Sequence, residues 1–333
     1  MKKKKEDVKE IIRGIKRYGW GNMARYMELS EDFIGKNGEI LNWELISKYQ
    51  VLSEKFIEKY ADKVNWDLIT IYQTLSEGFI EKFKDKINWE LVSQYQPLSE
   101  GFMEKYKDKV RWLVISTVQS LTEDFMERNK DRIYWMAISM HQELSEGFIE
   151  KYADKVDWSM ISIYQRLSEG FIEKHKDKLD WAKIKMYQKL SEGFRKKYGI
   201  RKTKNNWIYA SEEEKEKYIR EKTPYEIKKD RVGKYIEAYK LVRRDGYSFM
   251  TFRYKYEVGN ECESNCDCDM KDRFGFGITA GIKGDVMRYR SGGKIIKVKI
   301  YIRDIGAIVK GKIRCFKLKV IKEVGEKRMS EKE

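Results

Sequence analysis

Apolar and polar positions follow a fixed order along residues 29–198 of the chain, with a period of 23 residues. Each period opens with a leucine, has a phenylalanine four residues later, and reaches a tryptophan ten residues after that. A fixed period of this size is typical of stacked repeat architectures, in which each unit completes its core with the surfaces of its neighbours. The tryptophans of these units are Trp43, Trp66, Trp89, Trp112, Trp135, Trp158 and Trp181.

The unit at residues 52–74 indicates how this pattern specifies helices. Ser53 stands where a side-chain oxygen can cap a helix, with an acidic residue in the first turn. Phe56 opens an apolar face that continues at helical spacing. Asn65 can then cap a second helix that begins at Trp66. The sequence therefore predicts two short antiparallel helices in each unit, of about ten and eight residues.

The predicted fold class is an α solenoid of short helical hairpins, built from 23-residue repeats and followed by a small α+β domain. One hairpin buries too little apolar surface to fold alone, so we expect the repeats to form one elongated rod or arc. The predicted segments are a basic N-terminal segment and capping half-repeat at 1–28, the repeats at 29–198, a capping helix or linker at 199–223, a basic α+β domain at 224–323 and a flexible charged tail at 324–333.

A column of glutamines shares the 23-residue period and admits two interpretations. The amides can line a groove that holds a peptide, or they can satisfy backbone groups in the turns between units. The second interpretation is favoured because the column falls in the predicted turns. The glutamines are Gln50, Gln73, Gln96, Gln119, Gln142, Gln165 and Gln188.

His141 and His175 are the only histidines of the chain, and each replaces an aromatic member of the repeat. We expect both side chains to serve in packing. Residues 199–333 contain no histidine, so a Ser-His or Cys-His nucleophile pair cannot form within the predicted α+β domain.

The formal net charge of +16 is unevenly distributed. The repeats at 29–198 carry −2, whereas residues 1–28 carry +5 and residues 224–333 carry +11. A basic domain can attract nucleic acid, although lysine-rich solvated surfaces are also common. The chain has only four cysteines, no apolar stretch after the first lysines and no membrane-spanning segment, which together predict an intracellular protein. The initial four lysines leave a nuclear location as an alternative.

The C-terminal part changes to strand-like patterning. Asp245 and Gly246 form a hairpin turn signal, and residues 294–302 alternate with the period of a half-buried strand. Residues 304–321 predict two further strands, and the segment that begins at Val232 predicts a short helix followed by two or more strands. These elements together predict a compact α+β domain.

This part of the chain also resembles an uncharacterised domain of tailed phages and large DNA viruses, and the 23-residue units look like repeats found in such viruses. The resemblance implies a viral or phage origin, and therefore host cytoplasm or virion as the location of the protein, and it brings no activity with it. Some relatives have a histidine near the position of Thr279. The matching positions are Tyr256, Val258 and Gly259 at a strand end, Gly275 and Gly277 in a glycine-rich turn, and Asp304, Ile305, Lys312 and Arg314 in the last strands.

Cys262, Cys266 and Cys268 form a cluster that Cys315 can approach in space. Zinc is usually held by four ligands, with cysteine pairs separated by about two to four residues, so the spacing fits only in part. We expect no cofactor, with zinc as the less favoured alternative. The glycine-rich segment at 275–284 can bind a phosphate at a following helix but matches no full nucleotide motif.

Cationic side chains alternate with aromatic ones on the predicted strands, a composition typical both of nucleic-acid surfaces and of ordinary solvated sheets. For an enzyme, Glu257 and Asp304 are the candidate carboxylates. The candidate nucleic-acid or anion-binding residues are Arg243, Arg244, Arg253, Lys255, Lys297 and Lys299.

Three functions follow from these patterns, in order of preference. The first is a non-enzymatic scaffold that binds another protein, host or viral, through the solenoid. The second is a nucleic-acid-binding protein that acts through residues 224–323. The third is an enzyme that acts on a nucleotide-like substrate in the C-terminal domain. A membrane span is expected in none of them.

Overall fold

The structure, a computed structural model, describes residues 8–201, 207–248, 255–263, 278–281, 293–309 and 312–327, together with residues 252, 283 and 286. The described chain divides into two compact units. We call the part that ends at Ile115 the N-terminal unit, and the part from Ser116 to Lys327 the C-terminal unit.

The predicted fold class is confirmed: regularly spaced helical hairpins precede a small α+β domain. Before the hairpins lie α1 (Val8–Tyr18) and α2 (Met23–Tyr26). The first helices of the repeats are α3 (Glu31–Asn37), α5 (Glu54–Lys59), α7 (Glu77–Lys82), α9 (Glu100–Lys105), α11 (Glu123–Arg128), α13 (Glu146–Lys151), α15 (Glu169–Lys174) and α17 (Glu192–Lys197). The second helices are α4 (Trp43–Tyr49), α6 (Trp66–Tyr72), α8 (Trp89–Tyr95), α10 (Trp112–Val118), α12 (Trp135–His141), α14 (Trp158–Tyr164) and α16 (Trp181–Tyr187).

Local capping begins both helices of a repeat as the sequence predicts. Ser53 Oγ accepts a hydrogen bond from the backbone N–H of Phe56 at 3.2 Å, and Asn65 Oδ1 accepts one from Leu68 at 3.0 Å. The first helix is shorter than predicted, because α5 has six residues rather than about ten. After Tyr60 the chain tightens into a turn, in which the N–H of Lys63 bonds to the carbonyl of Tyr60 at 2.9 Å.

Each repeat buries its apolar side chains against the next repeat. Trp43 contacts two rings of the following repeat, with centroid distances of 6.3 Å to Phe56 and 5.1 Å to Tyr60. Ile57 and Ile69 are fully buried, and second helices of consecutive repeats, such as α4 and α6, pack side by side. The core of the repeats therefore lies between units as well as within them, as neighbour-dependent stability requires.

The α+β domain contains helix α18 (Glu212–Lys222) and two antiparallel sheets. The strands are β1 (Ile227–Lys229), β2 (Lys234–Val242), β3 (Glu261–Glu263), β4 (Ile278–Ala280), β5 (Gly293–Tyr301), β6 (Ile305–Val309), β7 (Lys312–Cys315) and β8 (Lys317–Lys327). Among the described residues, one sheet has the order β1-β2-β5-β8-β3 and the other the order β4-β7-β6.

Two local predictions for this domain are wrong. Residues 234–242 form strand β2 rather than a helix, because pairing with β5 sets Ala238 opposite Val298 and buries alternate side chains. Residues 305–327 form three strands where two were expected, since the chain passes at Phe316 from β7 of one sheet to β8 of the other. The N–H of Phe316 bonds to the carbonyl of Asp304 at 2.8 Å. The short helix that the sequence predicts at 282–290, next to the glycine-rich segment, falls mostly outside the described residues.

The segment predicted as a capping helix or linker at 199–223 contributes directly to the core of the α+β domain. Trp207, Ile208 and Ile219 are buried in one cluster with residues of both sheets. The buried amine of Lys215 donates to the carbonyls of Ile305 at 2.6 Å and Arg303 at 3.3 Å. Strand β8 continues to Lys327, four residues beyond the predicted end of the domain.

Candidate functional site

The glutamine column is a buried ladder of amides inside the repeats. Gln73 Oε1 accepts a hydrogen bond from the backbone N–H of Leu52 at 3.2 Å, and its Nε2 donates to the carbonyls of Gln50 at 2.8 Å and Ser47 at 3.1 Å. These bonds satisfy a backbone N–H at the start of the same repeat and two carbonyls at the end of the preceding one, as expected if the column serves the backbone in the turns between units. Equivalent bonds are made by Gln50, Gln96, Gln142, Gln165 and Gln188, and Gln119 is likewise buried.

The tryptophan column is also satisfied within each repeat, because every indole N–H donates to the carbonyl five residues earlier. Trp66, for example, donates to Ala61 at 2.9 Å. Trp43, Trp89, Trp112, Trp135, Trp158 and Trp181 do the same. The repeated tryptophans and glutamines are therefore committed to internal contacts.

A column of buried hydroxyls has the same period and was missed in the sequence. Ser139 Oγ donates to the carbonyl of Trp135 at 2.7 Å and accepts from the N–H of Asp157 at 2.9 Å. Thr70 holds the equivalent position and donates to Trp66 at 2.8 Å. The signal was a hydroxyl residue four positions after each tryptophan, in all but one of the repeats. The exception is Lys185.

The exposed surface of the first helices, called here the first-helix face, carries charges that pair with one another. Glu58 lies 2.5 Å from Lys82 of the next repeat, and Glu81 lies 2.5 Å from Lys105. Lys105 holds the pKa of the Glu81 carboxyl below its usual range. Similar pairs recur in the C-terminal unit, as between Glu127 and Lys151. In the described first helices, this lattice pairs carboxylates with lysines of the next repeat rather than leaving those charges open.

The second helices of the N-terminal unit expose a different surface, called here the second-helix face. In α4, α6 and α8, a half-buried leucine and a half-buried tyrosine stand one helical turn apart, next to an exposed carboxylate. Among the described residues these carboxylates make no ion pair. The leucines are Leu45, Leu68 and Leu91, the tyrosines are Tyr49, Tyr72 and Tyr95, and the carboxylates are Glu44, Asp67 and Glu90.

Cations lie over the tyrosine row near the start of this face. Lys48 Nζ is 5.3 Å from the ring centroid of Tyr49 and 5.4 Å from that of Tyr72. The guanidinium of Arg25 is 5.9 Å from the ring of Tyr49. The rings of Tyr49 and Tyr72 thus already form cation–π contacts with cations of the same chain.

In the C-terminal unit, residues at or just after the C-terminal ends of the second helices contact the α+β domain of the same chain. The N–H of Phe252 donates to the carbonyl of Val118, the last residue of α10, at 2.8 Å. Arg166 forms an ion pair with Glu263 at 2.8 Å. Lys189 lies over the ring of Phe316 at 5.8 Å. This part of the repeats therefore already binds a folded domain through backbone, charged and aromatic groups.

The candidate nucleic-acid cations on the large sheet are paired with carboxylates. Lys297 lies 2.6 Å from Glu237, and Lys299 lies 2.9 Å from Asp230. The hydrogen bond from Lys299 lowers the pKa of Asp230 below its usual range, and it raises the pKa of Lys299. Tyr301 donates a further bond to Asp230 at 2.9 Å. This face of the sheet is a self-neutralised network.

The other cations of that set lie elsewhere in the domain. Arg243 is mostly buried and pairs with Asp245 at 2.9 Å, and Lys255 pairs with Glu257 at 2.7 Å. Arg244 is half-buried, and Arg253 lies outside the described residues. The sequence-predicted cations are therefore not brought together into one track by the described part of the chain.

The cysteine cluster is only partly described, since Cys266 and Cys268 lie outside the described residues. Cys262 is buried on β3, and burial raises the pKa of its thiol to about 11. Cys315 is buried on β7 of the other sheet, where its thiol donates to the carbonyl of Ile278 at 3.4 Å. Within the described ranges no group of three or more His, Cys, Asp or Glu side chains is arranged to hold a metal ion.

The candidate catalytic carboxylates lie in different settings. Glu257 is exposed and pairs with Lys255. Asp304 is half-buried, and burial raises the pKa of its carboxyl. The glycine-rich turn with Gly275 and Gly277 is outside the described residues.

One buried amine in the α+β domain was missed by sequence reasoning. Lys240 Nζ donates to the carbonyl of Thr279 at 3.1 Å and lies 4.9 Å from the ring centroid of Tyr256. Burial lowers the pKa of Lys240. Strand β2, which places Lys240 there, was predicted as a helix, so the pattern gave no sign of this position.

Comparisons with family models, with curated proteins and with solved structures find no match to this chain. In the described part of the chain, no helix is long and apolar enough to span a membrane.

Proposed function

We propose that this chain is a non-enzymatic interaction scaffold that binds another protein through the second helices of its repeats. The single observation that supports this most strongly is the contrast between the two faces. The first-helix face pairs its own charges, as between Glu58 and Lys82, whereas the second-helix face exposes leucine–tyrosine pairs beside carboxylates such as Asp67. Large half-exposed apolar and aromatic side chains are the usual anchors of protein interfaces.

The chain's own α+β domain supports the same choice of face. In the C-terminal unit, that domain contacts the ends of second helices at Val118 and Gln188, the latter through the hydroxyl of Tyr209 at 3.1 Å. A repeat surface that holds one folded domain has the chemistry to hold another. The resemblance to viral and phage proteins extends the proposal to a partner of viral or host origin.

Site-specific photo-crosslinking in the full chain tests this proposal. A photoreactive residue at Leu68 or Leu91 reports on the second-helix face, and the same residue at Lys55 or Gly78 reports on exposed positions of the first helices. We expect one common protein to be cross-linked from both second-helix positions and from neither first-helix position, in cells of the organism that supplies the sequence. Equal capture from both faces, or capture from neither, contradicts the proposal.

The other two functions have less support. For nucleic acid, the lysines Lys297 and Lys299 are already paired with Glu237 and Asp230, so phosphates would have to displace carboxylates. For an enzyme, the described surroundings of Glu257 offer an ion pair rather than a pocket. We therefore propose neither nucleic-acid binding nor enzymatic activity as a second function of the chain.

A further inference from the structure

The second-helix face of the N-terminal unit carries a repeated chemical pattern of its own. Its carboxylates Glu44, Asp67 and Glu90 are exposed, recur once per repeat and make no ion pair with any described residue. They are the second residues of α4, α6 and α8, so they also stand at helix N-termini, where a negative charge is favourable. The equivalent residues of the C-terminal unit are Met136, Ser159 and Ala182, so this acidic row is confined to the N-terminal unit.

An apolar strip runs beside the acidic row. Positions two and six of each second helix, and positions three and seven, form two neighbouring lines on the helix surface, since residues four apart share a face. The first line contains the carboxylates at position two and Lys48, Ile71 and Gln94 at position six. The second contains Leu45, Leu68 and Leu91 with Tyr49, Tyr72 and Tyr95. A partner that fits both lines needs an apolar stripe with positive charges along one border.

The spacing of the row sets the spacing of those positive charges. Helices packed side by side lie about 8–10 Å apart, so successive carboxylates of the face recur at about that distance. In an α-helix that rises ~1.5 Å per residue, seven residues advance about 10.5 Å and return to the same side. A helix laid across α4, α6 and α8 can therefore present one cation to each repeat from positions seven apart.

We propose that the second-helix face of the N-terminal unit binds an amphipathic basic helix of a partner protein, with lysine or arginine at heptad spacing beside an apolar stripe. This proposal specifies the kind of partner that the scaffold binds, and it rests on the scaffold function proposed above. The leucine–tyrosine pairs receive the apolar stripe, and Glu44, Asp67 and Glu90 receive the cations.

Binding of a designed peptide to the full chain tests this partner chemistry. The probe has three heptads with leucine at the first and fourth positions and lysine at the seventh, and its binding is measured by isothermal titration calorimetry. We expect saturable binding by the unaltered chain, although its net charge of +16 repels a basic peptide at long range. A version with glutamate in place of lysine should not bind.

Charge reversals supply the matched comparison. Glu90→Lys should weaken peptide binding by about tenfold or more, since one ion pair becomes a like-charge contact. Asp85→Lys makes the same change of net charge at an exposed carboxylate five residues earlier, outside this face, and should change the affinity less than about twofold. Equal effects of the two variants overturn the assignment of the face.

Two further outcomes also overturn it. If a peptide with a central proline in each heptad binds equally well, the occupant is an extended segment rather than a helix. If the peptide competes with self-association of the chain, detected by sedimentation, the face belongs to a second copy.

If the photo-crosslinking at Leu68 and Leu91 succeeds while the peptide fails, the scaffold function stands and only the partner chemistry is wrong.

Discussion

At the scale of single residues, the exposed glycines of the first helices are the clearest sites for a stability test. Gly78 is the second residue of α7, and a Cβ added there meets no atom within 4 Å. Lys55 stands at the equivalent position of α5, so the repeat accepts a side chain there. Gly78→Ala should raise the free energy of unfolding by ~0.4–1 kcal/mol, because the unfolded chain loses conformational freedom.

The control for this substitution is Gly38→Ala. A Cβ at Gly38 would lie 2.9 Å from the indole ring of Trp43 and 3.2 Å from the carbonyl of Ile34, so this variant should be less stable than the parent. Native-state hydrogen exchange of the full chain, read from the amides of α7 and α3, measures both effects. Loss of protection in Gly78→Ala would contradict the expectation.

Which residues could be predicted from the sequence depends on how far away their partners lie. The caps Ser53 and Asn65 bond within their own helix turns, so the pattern alone identified them. The partners of Gln73 are 21 to 26 residues away, but the period supplied that distance. Asp230, by contrast, depends on Lys299, and no local pattern joins positions so far apart.

At the scale of elements, the misassigned strand β2 shows why period alone is ambiguous. Its apolar residues fit a helical face as well as an alternating strand, and the pairing with β5 decides between them. The candidate face was missed for a related reason. Leucine, tyrosine and carboxylate recur visibly in α4, α6 and α8, but only the three-dimensional pairing of Glu58 with Lys82 distinguishes the occupied face from the open one.

The C-terminal end of the amide ladder is closed by one side chain, and this closure can be tested. Tyr209 lies where the next repeat would supply a glutamine, and its hydroxyl donates to the carbonyls of Gln188 at 3.1 Å and Lys185 at 3.4 Å. Tyr209→Phe removes these bonds and should cost about 1–2 kcal/mol. We expect amide hydrogen exchange in α16 to accelerate by about tenfold, which corresponds to ~1.4 kcal/mol.

Tyr198→Phe is the matched control for the loss of a hydroxyl. Tyr198 bonds only weakly to Glu173, at 3.4 Å, on the first-helix face, so its removal should leave exchange in α16 close to that of the parent. Equal exchange rates in the two variants would show that the Tyr209 hydroxyl does not close the ladder.

At the scale of the whole molecule, the two kinds of architecture differ in the sequence distance of their contacts. The ladder bonds of the repeats join residues 21 to 26 apart. In the α+β domain, Lys215 bonds to Ile305 across 90 residues. Stability in the repeats is therefore close to a sum over neighbouring units, whereas the α+β domain depends on its complete chain.

This difference predicts that the chain tolerates the loss of a whole period and not of half a period. Deletion of residues 52–74 joins Val51 to Leu75, so Gln96 meets the carbonyls of Ser47 and Gln50 in place of those of Thr70 and Gln73. The shortened chain should keep its helical circular dichroism and slow exchange at the ladder amides, because one interface between neighbours has simply been removed. Deletion of residues 52–63 leaves Gln73 without a leucine N–H at the right distance and should abolish protection in the adjoining repeats. Similar exchange profiles for the two deletions would show that the period does not determine the fold.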